Sequence, residues 1–395
     1  MDISVRARNL AVSATLEVTN QAAELRRAGI DVIGFGAGEP DFPTPDHVKA
    51  AGIKAIQAGH TGYAKPSSGI PEARAAVCEK FRRDNGLTYK PEQVIVTVGG
   101  KEALFLACAA LLNPGDEALL PVPYWVSFPE QIKMCDGKVV ELRPSDPDDL
   151  RLRPEQIAAA VTPKTKVLIF NSPSNPGGFA YSPDETRAIA RALSGRDIVV
   201  FSDEMYDQLR FGDRQEHLSF AAAGDEWYEK TITFNAASKT HAMTGWRVGY
   251  AAGPVKIIKA MAKIQSHTTS GTATFVQHAL VEALTGDQSH VEARRKEFER
   301  RRNHMHARLN ALVGVTCVKP TGAFYCFPNV TGTYPRLGVR GSTEFCSCVL
   351  ERAHVALVPG AAFGSDDHVR LSFANSLVQI DRGLDRLEKL LGRAG

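Results

Sequence analysis

The residues from which chemistry can be read first are Asp203, Lys239 and Arg247. Asp203 closes the apolar run Ile198 to Phe201 and opens Ser202-Asp-Glu-Met-Tyr206, while Lys239 stands just past the run Thr231 to Phe234. Arg247 ends the segment Ala242-Met-Thr-Gly-Trp-Arg247. Two strand ends of this kind put Asp203 and Lys239 at the same edge of a sheet. A carboxylate, an amine and a guanidinium gathered there suit a cofactor carrying a pyridine nitrogen, an aldehyde and a phosphate. Each of the three alone reads better as part of a structural ion-pair network; it is the set that points to a site.

Two glycine clusters bear on the same question. Gly99-Gly100-Lys101 follows the run Val94 to Val98 and opens a helical pattern from Glu102 to Leu112. Free N–H groups at such a helix start can form an anion site fit for one phosphate, although a strand-Gly-Gly-helix turn needs no ligand and is by itself a weak signal. A P-loop is excluded, because the second glycine-lysine-hydroxyl group is missing. Gly34-Phe-Gly36-Ala-Gly38 lacks the G-x-G-x-x-G spacing, and Pro40, Pro43 and Pro45 forbid an immediate helix, so a dinucleotide fingerprint is rejected.

The elements that must position these residues are short branched apolar runs alternating with longer helical segments. Val94 to Val98, Glu117 to Leu120, Val167 to Phe170, Ile198 to Phe201, Thr231 to Phe234 and Val248 to Ala251 are the strand candidates. The pattern predicts an α/β fold, a mostly parallel sheet covered by helices. From His290 to Leu312 a charged helix follows, then mixed short elements, which predict a second, smaller α+β domain. The expected division is 1–45 as an N-terminal arm joined to the small domain, 46–288 as the large domain and 289–395 as the small one.

At 395 residues the chain exceeds one ordinary core. Its 47 basic and 44 acidic residues are too balanced for a nucleic-acid footprint. The Arg294 to Arg302 stretch reads as a solvated helix face in preference to a polyanion patch. Seven scattered cysteines give neither a disulfide framework nor a zinc spacing, and no metal is expected. No run approaches a membrane span and no signal peptide opens the chain, so a cytoplasmic setting is expected.

Seven collinear segments carry a resemblance: Gly36-Ala-Gly-Glu-Pro-Asp-Phe42, Val96 to Phe105, Pro123-Tyr-Trp-Val-Ser127, Asn171-Ser-Pro-Ser-Asn-Pro176, Ser202-Asp-Glu204, Ala242 to Arg247 and Gly322-Ala-Phe-Tyr325. With the Asp203-to-Lys239 spacing they resemble, end to end, the class I aminotransferases of the bacterial aspartate aminotransferase branch. The resemblance implies pyridoxal phosphate in a fold type I enzyme, with Lys239 as Schiff-base lysine and proton shuttle. It implies Asp203 on the pyridine nitrogen, Tyr206 and Asn175 on the ring's phenolate oxygen, and Trp125 against the ring face. For the phosphate it implies Gly99, Gly100, Lys101, Arg247, and Tyr63 from the other subunit of a homodimer. Arg370 and Gly38 are implied to hold the substrate's α-carboxylate and Lys101 its distal carboxylate, with amino acids and 2-oxo acids as substrates.

Three departures stand out. Gly177 replaces the family's threonine and is expected to loosen the loop beside Asn175. Ala11-Val12 replaces a Lys-Pro whose lysine lies near the distal carboxylate, and Ala236 stands where many members carry a serine. Transamination, from aspartate or glutamate, is the reading these residues favour. A lyase, cyclase or β/γ-replacement enzyme on the same scaffold is the alternative, and a PLP-sensing regulator lacks an appended DNA-binding helix pair.

Overall fold

The branched apolar runs become the middle of one sheet. The computed structural model describes residues 2–146, 149–212 and 216–393, and the strands among them are, in chain order, β1 (Ile33–Gly34), β2 (Val94–Thr97), β3 (Glu117–Pro121), β4 (Lys138–Leu142), β5 (Thr165–Asn171), β6 (Val199–Asp203), β7 (Thr231–Ala236), β8 (Gly249–Ala252), β9 (Tyr325–Cys326), β10 (Val355–Ala356), β11 (Val358–Pro359) and β12 (Val369–Ser372). The large sheet runs β2-β8-β7-β6-β5-β3-β4. Only β8 is reversed, antiparallel to β2 and β7, while the remaining pairs are parallel. The fold is the expected α/β type with a mostly parallel sheet.

Every residue of β2, β7 and β8 is buried. Helices cover both faces of such a sheet, so its inner strands are apolar throughout instead of alternating. The helix Gly99–Leu111 lies against β7 and β8. β4 was not legible in the sequence, since it offers only Val139 and Val140 between Lys138 and Glu141; it is an edge strand, where charge blunts further pairing.

Away from this sheet, β11, β12 and β9 form a small antiparallel sheet, and β1 pairs in parallel with β10. The chain before residue 35 is thereby tied to the chain after residue 350. The expected long helix runs Ser289–Asn310. Its basic stretch is not simply a solvated face, however. Arg301 and Arg302 are buried, Arg301 bonding Asp41 at 2.7 Å and Glu297 at 2.8 Å, Arg302 bonding Glu299 at 2.9 Å and the Pro320 carbonyl at 2.6 Å. Arg301 thus ties this helix to Asp41, ahead of the large sheet, and Arg302 ties it to Pro320, beyond it, which removes the polyanion reading for these two side chains. Among the described residues no helix is long and apolar enough to cross a membrane.

Candidate active site

The reversal of β8 decides what meets at one edge. Because β8 runs against its neighbours, its first residue, Gly249, sits opposite the last residues of β2 and β7, paired with Thr97 on one side and Ala236 on the other. In the adjoining ladder Asn171, Asp203 and Phe234 lie in one row. The turns after β2, β5, β6 and β7 and the turn before β8 therefore open on the same side. There they line a cavity of about 450 Å³ with Gly38, Gly100, Lys101, Trp125, Asn175, Asp203, Tyr206, Lys239, Arg247 and Arg370.

Asp203 ends β6 almost fully buried, its Oδ1 accepting from the Met205 amide at 3.2 Å. Burial, reinforced by the neighbouring Glu204 charge, pushes its carboxyl up to about 7. Such a carboxyl is short of a cation. Lys239 sits in the single turn Ala237–Thr240 after β7 and donates to the carbonyl of Gly38. Loss of water, with the charge of Arg370 next in weight, brings its amine down to about 8, so an appreciable neutral fraction exists near neutral pH. Tyr206 lies in the turn after β6, its hydroxyl 2.9 Å from that of Tyr325.

The glycines shape a cradle. Gly99 takes φ +76°, and a Cβ there would lie 2.6 Å from Nη2 of Arg247, so the guanidinium rests on the glycine. A Cβ on Gly249 would run into the Gly99–Gly100 backbone, with Gly100 Cα 2.9 Å away. Arg247 itself adopts a left-handed φ of 52°, which costs a non-glycine residue on the order of 1 kcal/mol. Its Nη1 bond to the Thr244 carbonyl at 2.8 Å and the Thr44 hydroxyl bond to Ala242 at 2.7 Å hold that turn. Free N–H groups at the start of the Gly99–Leu111 helix and an adjacent guanidinium together make a phosphate-sized anion site.

Arg370, on β12, enters from the small sheet and is 1% exposed, yet its Nε has no partner. Nη1 donates to Asn175 Oδ1 and Nη2 to the Gly36 carbonyl, each at 2.9 Å, and the guanidinium lies 4.5 Å from the Tyr325 ring centre. Arg370 lines the cavity and keeps one buried donor unsatisfied, which suits an anion nearby. Lys101 places its amine 5.0 Å from the Trp125 ring; desolvation, then the charge of Arg247, lowers its pKa. Among the described residues no carboxylate pairs with it.

The family model for class I and II aminotransferases matches residues 30–387. The chain is 45% identical to an aspartate aminotransferase of Geobacillus stearothermophilus over 99% of both chains. It is 46% identical to an aspartate/prephenate aminotransferase of Cereibacter sphaeroides over 92% of both. This chain belongs to the class I and II aminotransferases. Its fold is correspondingly close to that of the Rhizobium meliloti aspartate aminotransferase, at a TM-score of 0.94 and 39% identity over the whole of both chains. The Thermus thermophilus aspartate aminotransferase solved with maleate superposes at a TM-score of 0.93, with 42% identity over 99% of this chain and 100% of that one. The chain is a pyridoxal-phosphate-dependent aminotransferase, and these likenesses do not favour the lyase, cyclase or replacement alternative.

The donor set of this aminotransferase fits that cofactor. A raised carboxyl awaits a ring N–H⁺, a lowered amine awaits an aldehyde, and the glycine cradle with Arg247 awaits a phosphate. Of the expected residues, two do not line the cavity: Gly99 lies beneath Arg247, and Tyr63 is 83% exposed, away from its own chain's site. The loop beside Asn175 is not loosened by Gly177. A Cβ at 177 would lie 2.5 Å from the Phe179 ring, so that ring fills the space, and the Asn175 amide is held by Asn171 Oδ1 at 2.9 Å.

Several lining residues escaped the sequence reading. Tyr325 belongs to the Gly322-Ala-Phe-Tyr325 motif but received no role, although it orients both Tyr206 and Arg370. Asn171 opened a motif and could have been found there; its amide donates to the Asp203 carbonyl at 3.2 Å. Thr15, Leu16 and Thr19 reach the cavity from the helix Ala14–Arg27, and nothing local marks them.

Proposed function

We propose that this aminotransferase moves the amino group of aspartate or glutamate to a 2-oxo acid in two half-reactions. The observation that carries the acidic substrate is the presence in one cavity of two cations seeking anions, Arg370 with its unpartnered Nε and Lys101 with no carboxylate partner among the described residues. The maleate-bound Thermus thermophilus enzyme, which takes a dicarboxylate, supports the same class of ligand.

When bound, pyridoxal phosphate supplies an aldehyde for amine exchange and a ring that accepts electrons from the substrate Cα. Arg370 grips the α-carboxylate through two N–H groups, with the Gly38 amide beside it, and so fixes Cα near Lys239. With the cofactor bound, Lys239 would hold its aldehyde and, once displaced by the substrate amine, would act as a neutral amine that moves the substrate's Cα proton. Asp203 keeps the ring nitrogen protonated. Asn175 and Tyr206 would hold the ring oxygen, Trp125 would pack against the ring, and the backbone N–H groups of Gly99, Gly100 and Lys101 with the Arg247 guanidinium would hold the phosphate, leaving the Lys101 side chain for the distal carboxylate.

The enzyme works as a homodimer with shared sites, Tyr63 of each subunit reaching the other's phosphate. An aromatic side chain as exposed as Tyr63 supports an interface there, as do the exposed Ile53 and Ile56 on the helix that precedes it in the chain. A division into 1–45, 46–288 and 289–395 is supported by the pairing of β1 with β10 and by the separate small sheet. Seven thiols suit the reducing cytoplasm.

Borohydride reduction of the yellow protein followed by a tryptic map tests the assignment of Lys239, and a label on another lysine overturns it. Absorption spectra of the half-reaction with a panel of amino acids test the substrate. A response confined to neutral amino acids overturns the acidic assignment.

A further inference from the structure

Beside Asp203 lies a second carboxylate to which the scheme above gives no role. Glu204 is 1% exposed and is not among the residues that line the cavity. Its Oε1 accepts from the hydroxyls of Ser202 at 2.7 Å and Ser219 at 2.6 Å; its Oε2 accepts from the Asn85 amide at 2.8 Å and meets His217 Nε2 at 2.8 Å. The main chain is pinned as well, the Glu204 amide donating to the Phe234 carbonyl at 3.0 Å and its carbonyl accepting from Asn235 at 2.9 Å. Four donors on one buried carboxylate hold a charge where water cannot.

We infer that Glu204 is a positioning residue whose fixed buried charge keeps the proton shared between Asp203 and the cofactor's ring nitrogen in place at alkaline pH. The inference rests on the assignment of Asp203 to that nitrogen. Successive residues point to opposite sides at the end of β6, so Glu204 presents its charge to Asp203 from behind without touching the cofactor. Two anions this close in a poorly polarisable interior repel, and a proton on the Asp203 side relieves the repulsion. Burial pushes Glu204 up, but His217 and the hydroxyls hold it below the ordinary carboxylate value, so its charge persists.

The surrounding charges leave that field standing. Lys80 is ion-paired with Asp207 and donates to Asn85 Oδ1 at 2.7 Å, and so reaches Glu204 only through the amide. Arg210 faces His217 Nδ1 at 3.3 Å, which turns the Nε2 proton toward Glu204. Tyr89 is spent on the Thr233 hydroxyl at 3.2 Å. On the cavity side Lys239 faces Asp203 and stabilises its ionised form.

The test is nitrogen NMR of the holoenzyme loaded with ¹⁵N-labelled pyridoxal phosphate, following the ring nitrogen as pH rises. Glu204→Gln is expected to lose the ring proton at a pH lower than wild type by on the order of one pH unit. Ser219→Ala removes a donor and keeps the charge, so its midpoint stays at the wild-type value; Asn85→Asp adds a charge and raises it. A wild-type midpoint in Glu204→Gln overturns the inference, as does an equal fall in Ser219→Ala, which would make the role structural. Should Glu204→Gln fail to fold, an unraised midpoint in Asn85→Asp overturns it instead. Asp203→Asn separates the two levels: if the ring proton ignores that change, the Asp203 assignment itself is wrong, whereas a proton lost there and kept in Glu204→Gln removes the inference alone.

Discussion

Asn175 Oδ1 accepts a hydrogen bond from Nη1 of Arg370 at 2.9 Å. One residue belongs to the loop after β5, the other to β12 of the small sheet, so the bond ties the cofactor side of the cavity to the carboxylate-binding side. Its consequence is that Asn175 has only its side-chain N–H groups left for the cofactor oxygen proposed as its partner.

Asn175→Ala removes an acceptor from a buried guanidinium as well as a donor to the cofactor. A charge-assisted bond of this kind is worth about 1.5 to 3 kcal/mol, so kcat/KM is expected to fall roughly tenfold to hundredfold for every amino acid tested. Steady-state kinetics with aspartate and alanine check it. A loss confined to aspartate would mean the bond does not orient the α-carboxylate arginine.

Lys101→Ala should discriminate where Asn175→Ala does not. With the distal cation gone, kcat/KM for aspartate or glutamate is expected to drop on the order of tenfold or more while neutral amino acids change little. Equal losses for aspartate and alanine would assign Lys101 to the phosphate or the fold.

Gly249→Ala tests the cradle. The added Cβ meets the Gly99–Gly100 backbone, which has no flexible side chain to move aside. Overpacking of this kind costs about 1 to 3 kcal/mol, and the displaced loop is the proposed phosphate site. Titration of the apoprotein with pyridoxal phosphate is expected to show affinity weakened about tenfold or more, with a lowered Tm. An unchanged affinity would mean the glycines do not shape the phosphate site.

Asp203 sets a pH dependence in the apoprotein. Its folded value of about 7 lies above the ordinary 3.8 of an unfolded aspartate, so the folded state binds the extra proton between these limits. The associated stability is present in full below about pH 4 and is lost as pH rises through about 7. The Lys239 contribution, from about 8 upward, has the opposite slope and does not overlap this window. Urea unfolding at pH 5 and pH 7 should show apo wild type weaker at pH 7, by at most about 3 kcal/mol, and Asp203→Asn with that difference reduced. An undiminished difference in Asp203→Asn would assign the slope to other groups.

What the sequence determined by itself was the strands, together with the order along the chain of the residues proposed to react beside their ends. Continuous apolar runs such as Val94 to Thr97 and Thr231 to Phe234 are legible because a strand buried on both faces has no reason to alternate, and the motifs around Lys239, Asp203 and Arg370 stand in order along the chain. The tertiary structure decided what one-dimensional order cannot carry. The reversal of β8 brings Arg247 to the edge where Asp203 and Lys239 already stand, because register with β2 and β7 sets Gly249 opposite Thr97 and Ala236. Glycine at 177 reads as a missing side chain until the Phe179 ring is seen in its place, and Arg301 and Arg302 read as solvated until Asp41, Glu297, Glu299 and the Pro320 carbonyl are found around them. Tyr325, Thr15 and Thr19 became site residues only through contacts or surfaces made across long stretches of chain. Local pattern records which side chains a strand or helix can bury; only packing between distant segments fixes which atoms share a cavity.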